Sequence, residues 1–464
     1  MTSKIRHIKS AKDAAKKFAQ QPELSFKPDN NYQEMQLLMI YSDITYQTIT
    51  GFGGAFTEAS AINYYQMSSA IQQQIKEAYF GTTGLKYNLG RTHIASCDFS
   101  TGNYQYLAPN DVSLTSFDLS QDHKYIIPFI HECLRYSIQP ISLMASPWSP
   151  PEWMKDNQNL LKGGKLLTKY YQLYAEYLAK YLKEYAVQNI TINYLTIQNE
   201  PYAVQRWESC IYRDQDELVF IRDHLYPTLV NHDLHTTSKI VIWDHNKEHC
   251  FMRARHILAD KQAYTMIHGI AFHWYSGDHF ENLRLCKEFF PDKELFFTEG
   301  CVELSVGSPT NSGGNENVAV IQSPWEFGEK YAHDLIGNFN NGMSAYIDWN
   351  LLLDTTGGPN HVSNFCSAPI ICDAENQTIH YQPSYYFIGH FSKYVPQGSK
   401  RIAHSCYTDK LEISCFLTPE QKIVTVVFNS TEKDIPLIIK DVTSNGLVSV
   451  MIDKKSINTF IYNH

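Results

Sequence analysis

The chain has 464 residues, more than one hydrophobic core usually organises, so one large domain with a smaller companion is expected. Hydrophobic residues make up 43% and charged residues 19%, which excludes long disorder and fits a folded globular protein. The net charge of −9, with no basic stripe or Lys/Arg block, offers no electrostatic footprint for nucleic acid. The 10 cysteines are scattered without a CxxC pair, which reads as free buried thiols in a reducing compartment rather than a disulfide framework or zinc site. The basic N-terminal stretch "MTSKIRHIKSAKDAAKKFAQQ" lacks the apolar core of roughly 7–15 residues that marks a secretory signal. No run approaches the ~20 apolar residues of a membrane span. The expected location is cytoplasmic, or outside the cell by a route that needs no such signal.

In chain order, residues 1–47 end in the strand-like "QEMQLLMIYSDITYQTIT" (33–50). Eight β-rich runs follow, at 48–56, 85–96, 139–147, 190–199, 238–245, 268–275, 293–300 and 342–350. Amphipathic stretches separate most of them, among them "SSAIQQQIKEAYFG" (68–81), "LTKYYQLYAEYLAKYLKEYA" (167–186) and "RDQDELVFIRDHLYPTL" (213–229). This alternation predicts an α/β chain with a parallel (β/α)8 TIM barrel over 48–396. After a boundary near "PQGSK" the pattern changes to short turn-bounded runs, "KLEISCFL", "KIVTVVFN" and "DIPLIIKD". These predict a small antiparallel β-sandwich over 397–464, to which segment 1–47 adds an N-terminal strand or strands.

The β-runs end in polar or aromatic residues, where a barrel builds its active site. Two of those ends carry glutamates, Glu200 after the fourth run and Glu299 in the seventh. Strands four and seven lie across a closed barrel, so the two carboxyls can face each other. Hydrolysis of a glycosidic bond needs such a pair, one to protonate the leaving oxygen and one to attack or to activate water. A salt-bridged rim carboxylate is the plain alternative for either glutamate taken alone.

The flanks of these glutamates extend the reading. "TIQNEP", "FFTEGC", "GFGGAFTEAS", "ASCDFS", "ASPWSPPEWMKDN", "GIAFHWY", "DWNLLLDTTGGPNHVSNF" and "GHFSKYVPQGSKRI" together resemble glycoside hydrolase family 30, in particular its glucocerebrosidase branch. The resemblance runs from about residue 48 to the C-terminus. It implies a retaining β-glucosidase with Glu200 as acid/base and Glu299 as nucleophile. It further implies that Asn199 bonds the sugar 2-hydroxyl, that Asp98, Trp148, Trp349 and Asn364 surround the glucose ring, and that Arg91 and Tyr275 stand beside the nucleophile. No cofactor and no metal are implied. The expected partner is a small-molecule or lipid β-glucoside, with peripheral contact to membrane lipid; the oligomeric state is open. A β-xylosidase or β-1,6-glucanase on the same scaffold is the rival activity, and a carbohydrate-binding barrel without chemistry is the rival class.

Physical chemistry adds four expectations. A cation and a hydroxyl donor lower the pKa of a nucleophilic carboxylate, while the acid/base wants an apolar or negative setting. Trp148 and Trp349 would offer flat platforms to the sugar. Pro201 would hold Glu200 in an extended conformation. On the leaving-group side, the segment after Glu200 departs from the family, and Trp207, Tyr202 and Tyr212 are the candidate contacts there, with the Gly/Ser/Asn-rich loop 302–328. Three motifs are discounted. "HNKEH" (245–249) straddles a strand end rather than one helix face, "GFGG" (51–54) reads as a glycine turn rather than a phosphate loop, and Cys301 reads as structural.

Overall fold

The computed structural model describes residues 4–28, 36–304 and 323–464. Eight strands close a barrel in chain order: β1 (Gly51–Ala55), β2 (Leu89–Ile94), β3 (Ser142–Pro147), β4 (Ile192–Thr196), β5 (Lys239–Asn246), β6 (Ile267–His273), β7 (Glu294–Glu299) and β8 (Ala345–Asn350). Six lie within the runs read from sequence, β5 ends one residue later and β6 begins one residue earlier, and the registered pairs from β1 through to β8 are parallel.

Strand periodicity organises the barrel interior. Leu89, Met144, Tyr194, Val241, Ala271, Phe296, Ala345 and Ile347 form one buried apolar cluster, with a member from each of β2 to β8. Side chains two residues further along a strand face the same side. The next layer is therefore Arg91, Ser146, Thr196, His273, Thr298 and Trp349, which is polar and aromatic although it is buried. The barrel thus changes from oil to chemistry within one step of the pleat.

The helices supply the outer covering. In Tyr171–Val187, Tyr174, Tyr177, Tyr181 and Tyr185 recur at helical spacing and are at most 1% exposed. Tyr185 donates to the buried Asp122 carboxylate at 2.7 Å, which also accepts from Tyr104 and Tyr106. Much of the tyrosine content is therefore core rather than sugar platform. The stretch read as one helix over 213–229 runs from Asp214 to Asn231, and its π-helical turn Phe220–Leu225 precedes Pro227, which lacks the N–H an α-turn requires.

"GFGG" is strand and not turn. A Cβ on Gly53 would stand 2.1 Å from the Leu89 carbonyl oxygen on the paired strand, so the residue is glycine because backbone approaches backbone there.

A second compact unit comprises Met1–Gly51, Ser323–Ser344 and Tyr381–His464, and the first comprises Phe52–Gln322 and Ala345–His380. The grouping differs from the continuous span 48–396, because the helices Trp325–Asn340 and Pro383–Ser392 belong by packing to the second unit. Its β-sandwich takes two long strands from the N-terminal segment. Lys4–Ala11 pairs with Ser456–Asn463, and Leu37–Thr48 lies between Lys400–Cys406 and Ile435–Asp441. The last pairing is parallel, so the sandwich is not wholly antiparallel. Its core holds Ile5, Leu38, Ile40, Val427, Ile439 and Phe460, all at 0% exposure.

Gly53→Ala is expected to destabilise the protein by about 3 kcal/mol, since relief of the contact means parting β1 from β2. A urea midpoint that does not fall would show that the strands separate more easily than their register suggests.

Candidate active site

One guanidinium ties the site together. Arg91 on β2 has no solvent exposure, and each of its nitrogens has a partner. Nε donates to Ser146 Oγ (3.1 Å), Nη1 to Glu299 Oε2 (2.7 Å), and Nη2 to Asn199 Oδ1 (2.8 Å) and Asp244 Oδ2 (2.9 Å). Its carbon lies 4.9 and 5.5 Å from the Trp148 and Trp349 rings. Five strands or strand ends thereby converge on one cation.

Asp244 reaches this layer through an irregularity in β5. The pairing with β6 slips between Trp243 and His245, and Trp243 and Asp244 both have positive φ, 76° and 57°. Strict alternation from Val241 would turn residue 243 inward. The bulge presents Asp244 there instead, and Trp243 packs against Tyr202. Asp244 then accepts from Arg91, His273 Nε2 (3.1 Å), Thr298 (2.6 Å), Thr196 (2.7 Å) and Ser146 (2.9 Å). Burial alone would raise its carboxyl, but Arg91, His273 and Thr298 hold it far below the usual carboxylate range.

Glu200 follows β4 in a strained conformation. Its φ is +48°, so the extended geometry expected from Pro201 is not adopted. The backbone accounts for this: Asn199 N–H donates to Pro147 O, Glu200 N–H to Asp244 O, and Ala203 N–H returns to Glu200 O. These bonds fix Glu200 between the ends of β3 and β5 and close a turn through Pro201. The carboxylate points to His273 Nδ1 (3.2 Å), with His245 Nε2 at 3.9 Å. The setting is thus two imidazoles, not the apolar or purely negative one expected.

Glu299 ends β7. Arg91 bonds one oxygen and the Tyr275 hydroxyl donates to the other at 3.0 Å. One oxygen each of Glu200 and Glu299 and one His273 nitrogen lie within 4.8 Å of one another. A metal ion could use that spacing too, but here Arg91 already supplies Glu299 with positive charge.

Protons on this cluster are shared. His273 bonds carboxylate oxygens through both nitrogens, Asp244 on one side and Glu200 on the other. The geometry is satisfied by an imidazolium beside a carboxylate, or by an imidazole accepting from a carboxylic acid. Both carry the same proton. Burial alone would lower the imidazolium, but Glu299, Asp244 and Glu200 push it up to about 9. Burial would raise Glu200, yet His245 and His273 bring it below its ordinary value. Glu299 is shifted up by burial, with His273 and Arg91 opposing and the Glu200 charge assisting. When the shared proton sits on Glu200, that last contribution vanishes and Arg91 is left to hold Glu299 ionised.

Of the residues expected at the site, Asp98, Trp148, Asn199, Glu200, Trp207, Tyr275, Glu299, Trp349 and Asn364 all line one cavity of about 240 Å³, and Arg91 lies buried beside it. Asp98 accepts from Asn364 and Asn360 (3.2 and 3.3 Å); burial and the Glu299 charge raise its carboxyl well above the usual range. The Trp148 and Trp349 rings stack on each other at 5.4 Å, so each indole gives one face to the other and borders the cavity with the remainder.

Two expected contacts fail. Tyr202 does not line the cavity; its hydroxyl donates to Asp214 (2.6 Å) and its ring faces Trp243 and Arg253. Tyr212 is 1% exposed, and its carbonyl accepts from Arg253. Both brace the segment after Glu200 rather than facing a leaving group. Of loop 302–328, residues 305–322 lie outside the described residues. The "HNKEH" pair is not assembled on one helix face, since His245 ends in β5 and Lys247–His249 forms a 3-10 turn. His245 lines the cavity as a rim residue. Sequence reasoning missed Asp244 and His273, although "WDH" and "FHWY" placed both at strand ends.

Asp244→Ala is expected to cost about 3–5 kcal/mol, because it strands Arg91 with one carboxylate fewer in a dry layer. Asp244→Asn should cost less. Asparagine keeps the side chain's size and one acceptor oxygen, so equal midpoints for both variants in urea would place the whole loss in charge and none in packing.

With this geometry in view, comparison with known proteins assigns the family. The Glycosyl hydrolase family 30 TIM-barrel domain matches residues 49–395, and the Glycosyl hydrolase family 30 beta sandwich domain matches residues 398–460. The lysosomal acid glucosylceramidase of Mus musculus is 34% identical over 443 residues, spanning 92% of this chain and 83% of its own length. An endo-1,6-beta-D-glucanase of Neurospora crassa is 29% identical over 76% of this chain and 71% of its own. The crystal structure of SrfJ from Salmonella typhimurium superposes with a TM-score of 0.92 at 35% identity, covering all of both chains. The chain belongs to glycosyl hydrolase family 30 and is a glycoside hydrolase.

Proposed function

We propose that this glycosidase is a retaining β-glucosidase, acting on β-glucosides with a hydrophobic aglycone by double displacement. The observation that supports it best is the carboxylate pair. Glu200 and Glu299 bring oxygens within 4.8 Å, near the roughly 5–5.5 Å of retaining enzymes and short of the 6.5–9.5 Å that leaves room for an inverting water. Glu299, gripped by Arg91 and Tyr275, attacks the anomeric carbon. Glu200 gives the leaving oxygen the proton it shares with His273. That transfer moves one proton along a 3.2 Å hydrogen bond and leaves the net charge of the pair unchanged until the leaving group takes it. Glu200 then draws a proton from water, which releases the sugar with retained configuration. Asn199 is positioned for the 2-hydroxyl, with its oxygen fixed by Arg91; Asp98, Trp148, Trp349 and Asn364 hold the ring, and Trp207 faces the leaving group.

The hydrophobic aglycone rests on the relatives named glucosylceramidase; the relative named endo-1,6-beta-D-glucanase makes β-1,6-glucan the comparison substrate. Turnover of an aryl β-glucoside and of a glucosyl lipid, with little on β-1,6-linked glucose oligomers, is the expected result. The reverse preference would replace the aglycone assignment. Glu299→Gln should lose at least about 10⁴-fold in kcat. Treatment of the wild type with a 2-fluoroglucoside should add one sugar to the peptide holding Glu299; a label elsewhere would displace the nucleophile.

The shared proton sets the pH dependence. It is held below about 9 and lost above, so kcat/KM should fall on the alkaline side near that value. Without the imidazole, Glu200 must hold the proton alone. His273→Ala should therefore move the alkaline limb to lower pH. An unmoved limb would place the proton elsewhere.

A further inference from the structure

The cavity wall carries two thiols with no part in the chemistry above. Cys301 lies two residues past Glu299 and Cys366 two residues past Asn364, and both line the cavity. Their Sγ atoms are 3.1 Å apart. The backbones around them are already joined: Leu304 N–H donates to Phe365 O (2.8 Å), Ser367 N–H to Val302 O (2.9 Å), and Glu303 bridges Cys366. A second close pair serves as contrast. Cys250 and Cys286 are 3.9 Å apart, both fully buried, and neither lines the cavity.

We propose that Cys301 and Cys366 are an oxidative modification site, at which a small disulfide entering the cavity converts the two thiols into a reversible cross-link. The thiolate of one cysteine attacks a sulfur of the reagent RSSR, forms a mixed disulfide and expels RS⁻. The second thiolate attacks the protein sulfur of that mixed disulfide and expels the other RS⁻. The protein loses two protons and two electrons, and the reagent leaves as two RSH. Closing the bond brings the sulfurs to about 2.05 Å, a movement on the order of 1 Å across two paired segments. Burial raises both thiols, so the reaction is slow at neutral pH and quickens as the solution becomes alkaline.

The cross-link acts on the site through two contacts. The Tyr275 hydroxyl lies 3.5 Å from Cys301 Sγ and 3.0 Å from Glu299, and Asn364, two residues before Cys366, donates to Asp98. Moving either sulfur displaces a group that holds Glu299 or Asp98. Misplacement on this scale costs about tenfold or more in kcat/KM.

The test treats the full chain with glutathione disulfide at a pH of about 8.5, near the ordinary cysteine pKa, blocks remaining thiols by alkylation, and maps peptides by mass. The expected product is a Cys301–Cys366 linked peptide, with aryl-glucoside activity reduced about tenfold and restored by dithiothreitol. In Cys366→Ser, whatever its own activity, the linked peptide should be absent, and Cys301 should be recovered as an alkylated thiol or as the glutathione mixed disulfide that has no second thiol to resolve it. Recovery of Cys301 and Cys366 as alkylated thiols, or of a different linkage, overturns the site. A Cys301–Cys366 link that leaves the activity ratio unchanged overturns its effect on the cavity. The peptide readout does not depend on the substrate, so failure of the β-glucosidase reading would not be mistaken for failure here.

Discussion

Everything at the mouth of the barrel depends on neutralising one buried cation. A guanidinium with no exposure is tolerable only where each N–H finds an acceptor and the charge is matched. Arg91 meets that demand with Glu299, Asp244, Asn199 and Ser146. The demand runs both ways. The carboxylates need the cation as much as it needs them, so strands β2, β5 and β7 are tied together by charge as well as by their ladders. A carboxylate fixed in this way stays aimed without help from substrate, which is the preorganisation that the proposed role of Glu299 requires.

The cation would lack half of its counter-charge without the β5 bulge. One extra residue reverses which side chain faces inward, exchanging Trp243 for Asp244. β6 and β7 show a second slip, where His273 pairs with Glu299 and Thr298 is passed over. That irregularity allows adjacent residues, Thr298 and Glu299, both to serve the inner layer. The strain at Glu200, Trp243 and Asp244 is thus concentrated at the site, and the regular barrel below it absorbs the cost.

His273 joins the two carboxylate systems. Through Asp244 it senses Arg91, and through Glu200 it reaches the cavity. A proton lodged between an imidazole and a carboxyl can serve an acid without the apolar pocket that a solitary glutamic acid requires. In the proposed double displacement the same pair can take the proton back from water in the second half of the reaction.

The sequence by itself determined the barrel, its eight strands, the sandwich with its N-terminal strands and the two glutamates at strand ends. These features follow from hydrophobic periodicity and local composition, which are properties of short stretches of chain. It also named the residues that meet in the cavity, through motifs strung across some 270 positions from Arg91 to Asn364. Only the tertiary structure decided the rest. Strict alternation would have turned Trp243 into the barrel and Asp244 out of it; a pairing slip between neighbouring strands is not written in either strand alone. Pro201 suggested an extended Glu200, but hydrogen bonds to Pro147 and Asp244 prevailed over that local preference. Tyr202 and Tyr212 looked like cavity residues and are braces, and Cys301 and Cys366, 65 positions apart, became neighbours. Periodicity fixes which face a residue takes within an element; which elements then share a charge, a proton or a sulfur contact depends on packing between segments distant in sequence.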